Sequence, residues 1–578
     1  MAADDEAGPS SAAAAGPTAA PAAEADKPGA STPAGGGIKA VKSLSPSGKH
    51  GKGLIAAAKD EAKAGTTATP AAGGGAKAVA ALKKSTKADA VPTEPPLKAG
   101  LHRPNVYVRI RPLASEGGHA EDGTVLTKHL ETWDETSVTM ETQYLFSKGE
   151  ARYEYPRRVF GMEATQQEVT DAMVPDLVQS FAEERTNVLF FAYGQTGTGK
   201  TRTMLGTEPS LQSATPHEDW GVFPRVWAAT FDKVADMRAA GQRCVLTGSA
   251  IEFYLGECFD LLSSSERHGN TPVQIDFETH APSGESCVAL EQPADLMDFL
   301  ARVIANRTAR GTNFNSASSE HSGSSRSHAA LILTLMSLDE ATREYCKTTF
   351  TLVDLAGAER PEKVRAESEM LDAKAKAKAK SSSNNSNLNF SPEFMDSLVK
   401  ARDSGGITQK QMNALMPINA QTRIINFELF LLGSEVVKAS ECHRKAKKYL
   451  APKACVTPTI TFLSAIFDGK ARLAMCVTLS PAGRNAWETW FSLQYGADLA
   501  RLHAPRRKEK AQDVDKLHKS LAKEATALRK DVDGMPKEHR YFAVKKHKAD
   551  AAAEALRRLE MVLGDGANAK DKVKENGG

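Results

Sequence analysis

Apolar residues between about residue 101 and residue 505 fall into short continuous runs separated by polar turns and helical patterns. The continuous apolar runs typical of buried strands are NVYVRIRPL, NVLFFAY, CVLTGSAIEFY, AALILTLMSL, TTFTLVDLAG and ARLAMCVTLSP. Between them lie stretches with helical spacing of apolar residues, such as DLMDFLARVIANR, Asp295 to Arg307. Alternation of strand and helix patterns predicts an α/β fold around a mixed sheet.

The segments outside about 101–505, and one insert within it, differ from the rest of this range in amino-acid composition. Residues 1 to 100 are rich in Ala, Gly, Pro, Ser and Lys, which predicts a disordered tail because such a composition buries too little to offset chain entropy. A low-complexity insert, about 362–420, interrupts the body and is densest from Asp372 to Phe394. The remaining residues, 506–578, form a charged helical segment with apolar residues near heptad positions over two to three heptads. This pattern fits either a short coiled coil or a single charged helix lying on the body.

Composition narrows the class of protein only slightly. The net charge of +3 makes attraction to an acidic partner a matter of local patches. The seven cysteines are scattered and never in CxxC spacing, which argues against a disulfide framework or a zinc site. The N-terminus does not have the pattern of a signal peptide, and no apolar run approaches the roughly 20 residues of a membrane span. We therefore expect an intracellular, soluble protein.

The apolar run NVLFFAY leads directly into a glycine-rich loop with a single lysine. The loop satisfies the phosphate-binding pattern GxxxxGK followed by Ser or Thr, and consists of Gly194, Gln195, Thr196, Gly197, Thr198, Gly199, Lys200 and Thr201. Its glycines let backbone N–H groups approach phosphate oxygens, its lysine reaches toward the β and γ phosphates, and its threonine hydroxyl can ligate Mg²⁺. Many NTPases and kinases share such a loop, so other motifs must define the class.

Two further segments have chemistry suited to sensing a γ-phosphate. TTFTLVDLAGAER is an apolar strand that ends in Asp354, suited to a magnesium-bound water, and continues to Gly357, whose N–H suits a γ-phosphate oxygen. NRTARGTNFNSASSEHSGSSRSH, Asn306 to His328, surrounds an arginine with hydroxyls that can order over the phosphate. Taken singly, the first is a common strand end and the second fits a flexible linker.

Together and in this order, the three motifs resemble the kinesin motor domain, whose phosphate loop is close to GQTGxGKT, whose switch I ends in SSRSH and whose switch II reads DLAGSE. Other segments from 101 to 505 are similar to the family's first strand (YVRIRPL), central strand (IEFYLGECFDLL) and last strand and helix (ARLAMCVTLSPAGRNAWETWFSLQYGADLARL). The resemblance implies a P-loop NTPase fold with a central mixed β-sheet flanked by helices. It also implies ATP and Mg²⁺ as ligands and microtubules as the partner.

The resemblance assigns the phosphate and magnesium roles to particular residues. Lys200 and Thr201 hold phosphate and Mg²⁺, and Ser325 and Asp354 complete the magnesium shell directly or through water. Ser324 helps to position the attacking water, so that catalysis depends on positioning and electrostatics.

The resemblance assigns closure of the pocket and nucleotide recognition to other residues. Arg326 and Glu359 form an ion pair that closes the pocket, and Gly357 bonds the γ-phosphate. The residues expected at the adenine are Arg109, Arg111 and Pro112.

The sequence departs from the family pattern in four places. Eight residues, SASSEHSG, separate Asn315 from SSRSH where the family has two; they include an imperfect first copy, SSEHS, and only the second copy has the arginine. Ala358 replaces the serine of DLAGSE. The relay segment INFELFLLGSEVV, Ile425 to Val437, keeps Ile-Asn and Leu-Gly of INKSLxALGxVI but loses Lys-Ser. The family's tubulin-contacting loop VPYRDSKLT falls near KKYLAPKACVTPTITFL, which keeps neither its Arg nor its Asp-Ser-Lys.

A basic run, KASECHRKAKKYLAPK from Lys438 to Lys453, lies beside the lost loop. It either attracts the acidic surface of tubulin in a salt-sensitive manner or is a solvated face.

Two functions follow from the resemblance. The first is an ATP-driven, microtubule-associated motor that hydrolyses ATP on the cytoplasmic microtubule cytoskeleton. The second is a non-motile structural subunit of a microtubule array such as the axoneme of a cilium or flagellum, with slow or absent turnover. No long stalk is visible, so we expect a monomer or weak dimer. A nucleotide kinase or DNA-handling NTPase leaves SSRSH, DLAGAE and VRIRPL unexplained, so neither nucleic acid nor membrane is an expected partner.

Overall fold

The computed structural model describes residues 100–112, 129–142, 149–155, 157–263, 273–276, 279–314, 326–358, 400, 418–450 and 457–564. The strands are β1 (Leu101–His102), β2 (Asn105–Ile110), β3 (Leu130–Trp133), β4 (Ser137–Glu141), β5 (Glu150–Glu154), β6 (Arg158–Phe160), β7 (Val188–Tyr193), β8 (Gln242–Tyr254), β9 (Glu257–Asp260), β10 (Gln274–Ile275), β11 (Pro282–Ser283), β12 (Val288–Ala289), β13 (His328–Asp339), β14 (Glu344–Asp354), β15 (Arg472–Leu479), β16 (Ala504–Pro505) and β17 (Gln512–Asp513). The α-helices are α1 (Gln166–Val178), α2 (Lys200–Met204), α3 (Val222–Ala239), α4 (Pro293–Phe314), α5 (Ile418–Arg444), α6 (Pro458–Leu463), α7 (Ala486–Ala500), α8 (Val514–Asp533) and α9 (Phe542–Leu563).

A ten-stranded mixed sheet forms the centre of the body. Its strand order is β12-β8-β13-β14-β7-β15-β2-β6, with β9 paired to β8 and β17 paired to β14. The neighbours from β14 to β6 run parallel, whereas each neighbouring pair among β12, β8, β13 and β14 is antiparallel. Every residue of β7 is buried, as expected for a strand covered on both faces. The prediction of an α/β fold with a central mixed sheet is confirmed.

Helices cover both faces of this sheet. One face packs against α5, α6 and α7, and the other against α1, α3 and α4. Helix α5 shows why its sequence becomes a covering helix, because its buried apolar residues recur at spacings of three and four: Ile425, Leu429, Leu432, Val436 and Ala439. Helix α1 begins with a capping box, in which Thr165 accepts from the backbone of Glu168 and the Glu168 side chain accepts from the backbone of Thr165.

Helices α8 and α9 form an antiparallel hairpin on the body. Ion pairs between the two helices join His518 to Glu560 and Lys545 to Asp531. The hairpin covers the end of the sheet where β13 ends and β14 begins, through an apolar cluster of Met336, Leu338, Tyr345, Val514, Leu559 and Val562. The sequence pattern left a short coiled coil and a single charged helix lying on the body as alternatives; the structure has two helices there, and they pack on the body.

Several sequence predictions fall partly or wholly outside the described residues. The predicted tail before Gly100 and most of the predicted insert, 362–420, lie outside them. Among the helices of the described ranges, none combines the length and apolar character needed to cross a membrane.

Candidate functional site

The glycine-rich loop connects β7 to the short helix α2, and its backbone explains its glycines. Gly194 has φ of 155°, and a Cβ there would lie 2.3 Å from the carbonyl oxygen of Thr478 on β15. Gly199 has φ of 95° at the residue before α2, a left-handed conformation that favours glycine. Inside the loop, the Thr198 hydroxyl donates to the Gln195 carbonyl at 2.9 Å. These contacts give the loop a defined shape before any phosphate is bound.

Lys200 extends back over the loop that precedes it. Its side chain is largely buried, with the residue 8% exposed. Its Nζ donates to the carbonyl oxygens of Gly194 and Gln195, each at 2.9 Å. The ammonium group is therefore held at the centre of the loop, where it can exchange a carbonyl partner for a phosphate oxygen.

Thr201 and Asp354 meet although 153 positions separate them in the chain. The Thr201 hydroxyl donates to Oδ2 of Asp354 at 2.9 Å. The sheet explains this contact, because β14 pairs in parallel with β7 and Asp354 lies in register with Ala192, just before the loop. The second carboxylate oxygen, Oδ1, is buried and has no hydrogen-bond partner among the described residues. A hydroxyl beside a carboxylate with one open oxygen suits a hard cation such as Mg²⁺.

The residues predicted at the adenine line the same cavity as the glycine-rich loop. This cavity has a volume of about 490 Å³, and its wall includes Arg109, Arg111, Pro112, Thr196 to Arg202 and Asp354. The Arg109 guanidinium donates to Gln166 on α1 at 2.6 Å and to Thr203 on α2 at 2.9 Å, and burial lowers its pKa. The Arg111 guanidinium donates to the carbonyl of Gly197. Arg109 therefore joins β2 to α1 and α2, and Arg111 joins the residue after β2 to the loop.

Arg307 is a site residue that the sequence interpretation did not identify. It lies near the end of α4 and donates from Nη1 to Oδ2 of Asp354 at 2.7 Å, while Nη2 donates to the carbonyl of Ser327 at 3.3 Å. The side chains of Arg307 and Asp354 are only 8% and 3% exposed. A signal existed, because Arg307 continues the apolar stripe of α4 formed by Leu296, Phe299, Leu300 and Val303, and so was placed to face the core.

Three of the predicted catalytic residues lie outside the described residues, namely Ser324, Ser325 and Glu359. Arg326 is described and half-buried at the start of the segment leading into β13, but its predicted ion pair with Glu359 stays a prediction. Gly357 is buried beside the loop, and the N–H of the next residue, Ala358, donates to the Gly194 carbonyl at 3.4 Å.

The segment after β14 is thus held against the glycine-rich loop by the bond from Ala358 to Gly194. Together with the phosphate loop and the strand-end aspartate, this arrangement defines the class of protein as a P-loop nucleotide-binding protein with a mixed central sheet.

Comparison with known proteins gives the family. Residues 109–386 match the family model described as kinesin motor domain. Kinesin-like protein KIF15 of Mus musculus is 32% identical over 276 residues, which is 46% of this chain and 18% of that protein. Kinesin-like protein 2 of Schizosaccharomyces pombe is 29% identical over 275 residues, which is 46% of this chain and 31% of that protein. The chain therefore carries a kinesin superfamily motor domain and spans less than a third of the length of these curated relatives.

A solved structure supports the same fold. A KIF14 dimer in a two-heads-bound state, with AMP-PNP and in complex with a microtubule, superposes with a TM-score of 0.51 at 22% identity. The match covers 71% of this chain and 96% of that one. The predicted P-loop NTPase fold of the kinesin motor type is confirmed.

Proposed function

We propose that this chain binds Mg²⁺ and ATP, hydrolyses ATP and couples the reaction to a microtubule. The observation that carries the proposal is the contact of the Thr201 hydroxyl with Asp354 at 2.9 Å, beside the buried Lys200. This contact joins the phosphate loop to the strand-end carboxylate through groups that suit a metal-bound nucleotide. The motor body proposed to do this is 101–505.

The residues present fit a magnesium ion, because Asp354 has an open buried oxygen and Thr201 supplies a hydroxyl next to it. Magnesium, when bound, supplies positive charge to the phosphate oxygens at which negative charge develops. Thr201 would ligate the ion directly, and Asp354 would hold it directly or through a bound water. Arg307 orients the Asp354 carboxylate through its own bond at 2.7 Å to Oδ2, the oxygen that Thr201 also contacts.

The chain's other residues bind and orient the phosphates. Lys200 neutralises phosphate charge from within the loop, and the backbone N–H groups of the loop donate to phosphate oxygens. Gly357 is held near the loop by the bond from Ala358 to Gly194, and its N–H is proposed to contact the γ-phosphate. Ser324 is proposed to orient the attacking water and Ser325 to complete the metal shell. Arg326 and Glu359 are proposed to close the pocket against solvent.

The microtubule is proposed as partner because the family model is that of a motor domain and the KIF14 relative was solved on a microtubule. On this chain, the C-terminal end of α5 carries a solvent-facing basic group in the described residues: Arg444, Lys445, Lys447 and Lys448. An exposed positive cluster attracts an acidic surface over a distance of about 8 to 10 Å at moderate salt.

A second candidate function is a microtubule-bound structural subunit with slow or absent turnover, located in the cytoplasm or in an axoneme. Its support is the exposed face of α5, where Phe427 and Phe430 are 38% and 68% exposed. Phe427 occupies the position of the lysine in the family's INKSL segment, so an apolar ring replaces a charge. A changed contact face favours altered coupling to the microtubule, while the intact phosphate loop favours retained nucleotide binding.

The test is steady-state ATP turnover of the full chain with and without microtubules, at low and moderate salt, alongside binding of a fluorescent ATP analogue. We expect Lys200→Ala to abolish nucleotide binding, because the loop loses its only lysine. The matched control is Lys523→Ala, the same change at an exposed position of α8.

The outcomes separate the two candidates. Strong stimulation by microtubules supports the motor. Microtubule binding without stimulation supports the structural subunit. Nucleotide affinity that survives Lys200→Ala refutes the assignment of the phosphate loop.

A further inference from the structure

A buried histidine and a buried glutamate connect the segment after β14 to the long helix α5. His328 is the first residue of β13, and Glu428 lies on the inner face of α5. Nε2 of His328 lies 3.4 Å from Oε2 of Glu428, and the side chains are 2% and 4% exposed. Glu428 stands where the family's INKSL segment has serine, so the pair is a feature of this chain rather than of the motif.

The other ring nitrogen of His328, Nδ1, contacts the segment after β14, which lies beside the phosphate loop. The backbone N–H of Ala356 donates to Nδ1 at 2.8 Å. A nitrogen that accepts this bond has no proton of its own, so the ring proton lies on Nε2. Nε2 is buried 3.4 Å from Oε2 of Glu428 and makes no hydrogen bond among the described residues. One imidazole therefore accepts a bond from the Ala356 backbone at Nδ1 and places its Nε2 beside a carboxylate of α5.

Ala356 belongs to a segment that the site holds on both sides. Two residues before it, Asp354 contacts Thr201 of the phosphate loop at 2.9 Å. Two residues after it, Ala358 donates to Gly194 of the same loop at 3.4 Å. A shift of this segment relative to the loop must either carry His328 with it or break the bond to Nδ1.

Burial makes the contact to α5 matter energetically. A carboxylate that is almost fully buried depends on its polar partners, because water cannot replace them. Nε2 of His328 lies 3.4 Å from Oε2 of Glu428, and among the described residues neither this Nε2 nor Oε1 of Glu428 has a hydrogen-bond partner. The position of α5 is therefore sensitive to the position and orientation of the His328 ring.

We propose that His328 and Glu428 are positioning residues that transmit the state of the nucleotide site to α5. This inference rests on the proposed function, since it requires that the site bind nucleotide. Neither residue lines the cavity of the phosphate loop, so their loss is expected to uncouple α5 from the site while leaving nucleotide affinity close to that of the wild type.

The test is hydrogen exchange of α5, residues 418–444, in the full chain with ADP or with AMP-PNP, together with the dissociation constant of each nucleotide. Couplings between sites are typically about 5- to 150-fold, so we expect amides of α5 in the wild type to exchange at clearly different rates in the two nucleotide states. Glu428→Met removes the carboxylate and keeps the volume, and a buried charge replaced by an apolar side chain of similar size is usually tolerated. We expect it to abolish the difference.

Three further variants make the result specific. His328→Asn keeps an acceptor for the Ala356 N–H but cannot reach Glu428, so it should abolish the difference independently, even if Glu428→Met does not fold. Glu428→Gln keeps an acceptor for the Nε2 proton and should retain the difference. Glu441→Gln makes the same change on the solvent-facing side of α5, where the carboxylate pairs only with Lys445 among described residues, and should behave as wild type.

Each contrary result has a distinct meaning. A nucleotide-dependent difference that persists in Glu428→Met or His328→Asn overturns the coupling role and leaves the proposed function standing. Absence of the difference in a wild type that binds both nucleotides also overturns the coupling role alone. A wild type that binds neither nucleotide refutes the proposed function and this inference together.

Discussion

The pair formed by Arg307 and Asp354 allows a sharp test of how burial affects an ion pair. Both charges are removed from water, with side chains 8% and 3% exposed, and the nitrogen and oxygen lie 2.7 Å apart. Replacing Arg307 with Met leaves the Asp354 carboxylate buried with the Thr201 hydroxyl as its described partner. Removing one partner of a buried pair typically costs about 3 to 5 kcal/mol of unfolding free energy. Domains are stable by only about 5 to 15 kcal/mol, so this is a large fraction of the total.

The assay is urea denaturation, in which a shift of the midpoint concentration at an unchanged m-value reports the change in unfolding free energy. We expect Arg307→Met to lower the midpoint strongly. The double variant Arg307→Met with Asp354→Asn should recover part of the loss, about 2 kcal/mol or more, because no uncompensated charge is left buried. Nucleotide binding measured on the same samples is expected to weaken in every variant that changes Asp354.

An exposed pair with the same shortest distance between nitrogen and oxygen is the control. Arg343 and Asp515 also lie 2.7 Å apart, but their side chains are 43% and 55% exposed. Arg343→Met should shift the midpoint far less, because water and salt screen an exposed pair. Equal shifts for Arg307→Met and Arg343→Met would refute the reasoning that burial decides the cost.

Three other predictions concern parts of the molecule away from this pair. Burial lowers the pKa of His129 to about 4, whereas in the unfolded chain the imidazole has its ordinary pKa of 6.5. The contribution of His129 to the free energy of unfolding should therefore be complete above pH 6.5 and fall by up to about 3 kcal/mol as the pH drops toward 4. His129→Phe should show less of this fall when urea melts at pH 7 and pH 5 are compared. Leu559→Ala, at a position 2% exposed, should destabilise the docked hairpin by about 2 to 5 kcal/mol and speed hydrogen exchange in α8, whereas Leu450→Ala, at a position 64% exposed, should not. The basic group at the end of α5 consists of Arg444, Lys445, Lys447 and Lys448. Neutralising it should reduce microtubule co-sedimentation at low salt more than neutralising the four lysines of α8. Equal effects would identify the group as a solvated face.

Local patterns were sufficient to predict the strands that build the site. The run before the phosphate loop was predicted as a strand from its apolar residues, and it is β7, Val188–Tyr193. The run ending at Asp354 was predicted likewise and is β14. Helix α5 extends well beyond the predicted relay segment at both ends, because tertiary packing rather than the motif sets where a helix stops.

The partners of the site's charged groups were not predictable in the same way. No local pattern predicted the role of Arg307, because its contact with Asp354 spans 47 positions and depends on how α4 packs on the sheet. The contact of His328 with Glu428 depends on the packing of α5 against β13, and the substitution of Glu for Ser was visible only as a departure from the family motif.

The sequence by itself determined the phosphate loop, the strands on either side of the site and the kinesin family, because these depend on short-range chemistry: glycines that accept left-handed angles, apolar runs that need burial, and a lysine and a hydroxyl at fixed spacing. Only the tertiary structure decided which charges meet and where the last two helices lie. The parallel pairing of β14 with β7 brings Asp354 to the loop, and the apolar end of the sheet provides the surface on which α8 and α9 dock. Such contacts depend on strand register and helix packing, which no single stretch of the chain contains.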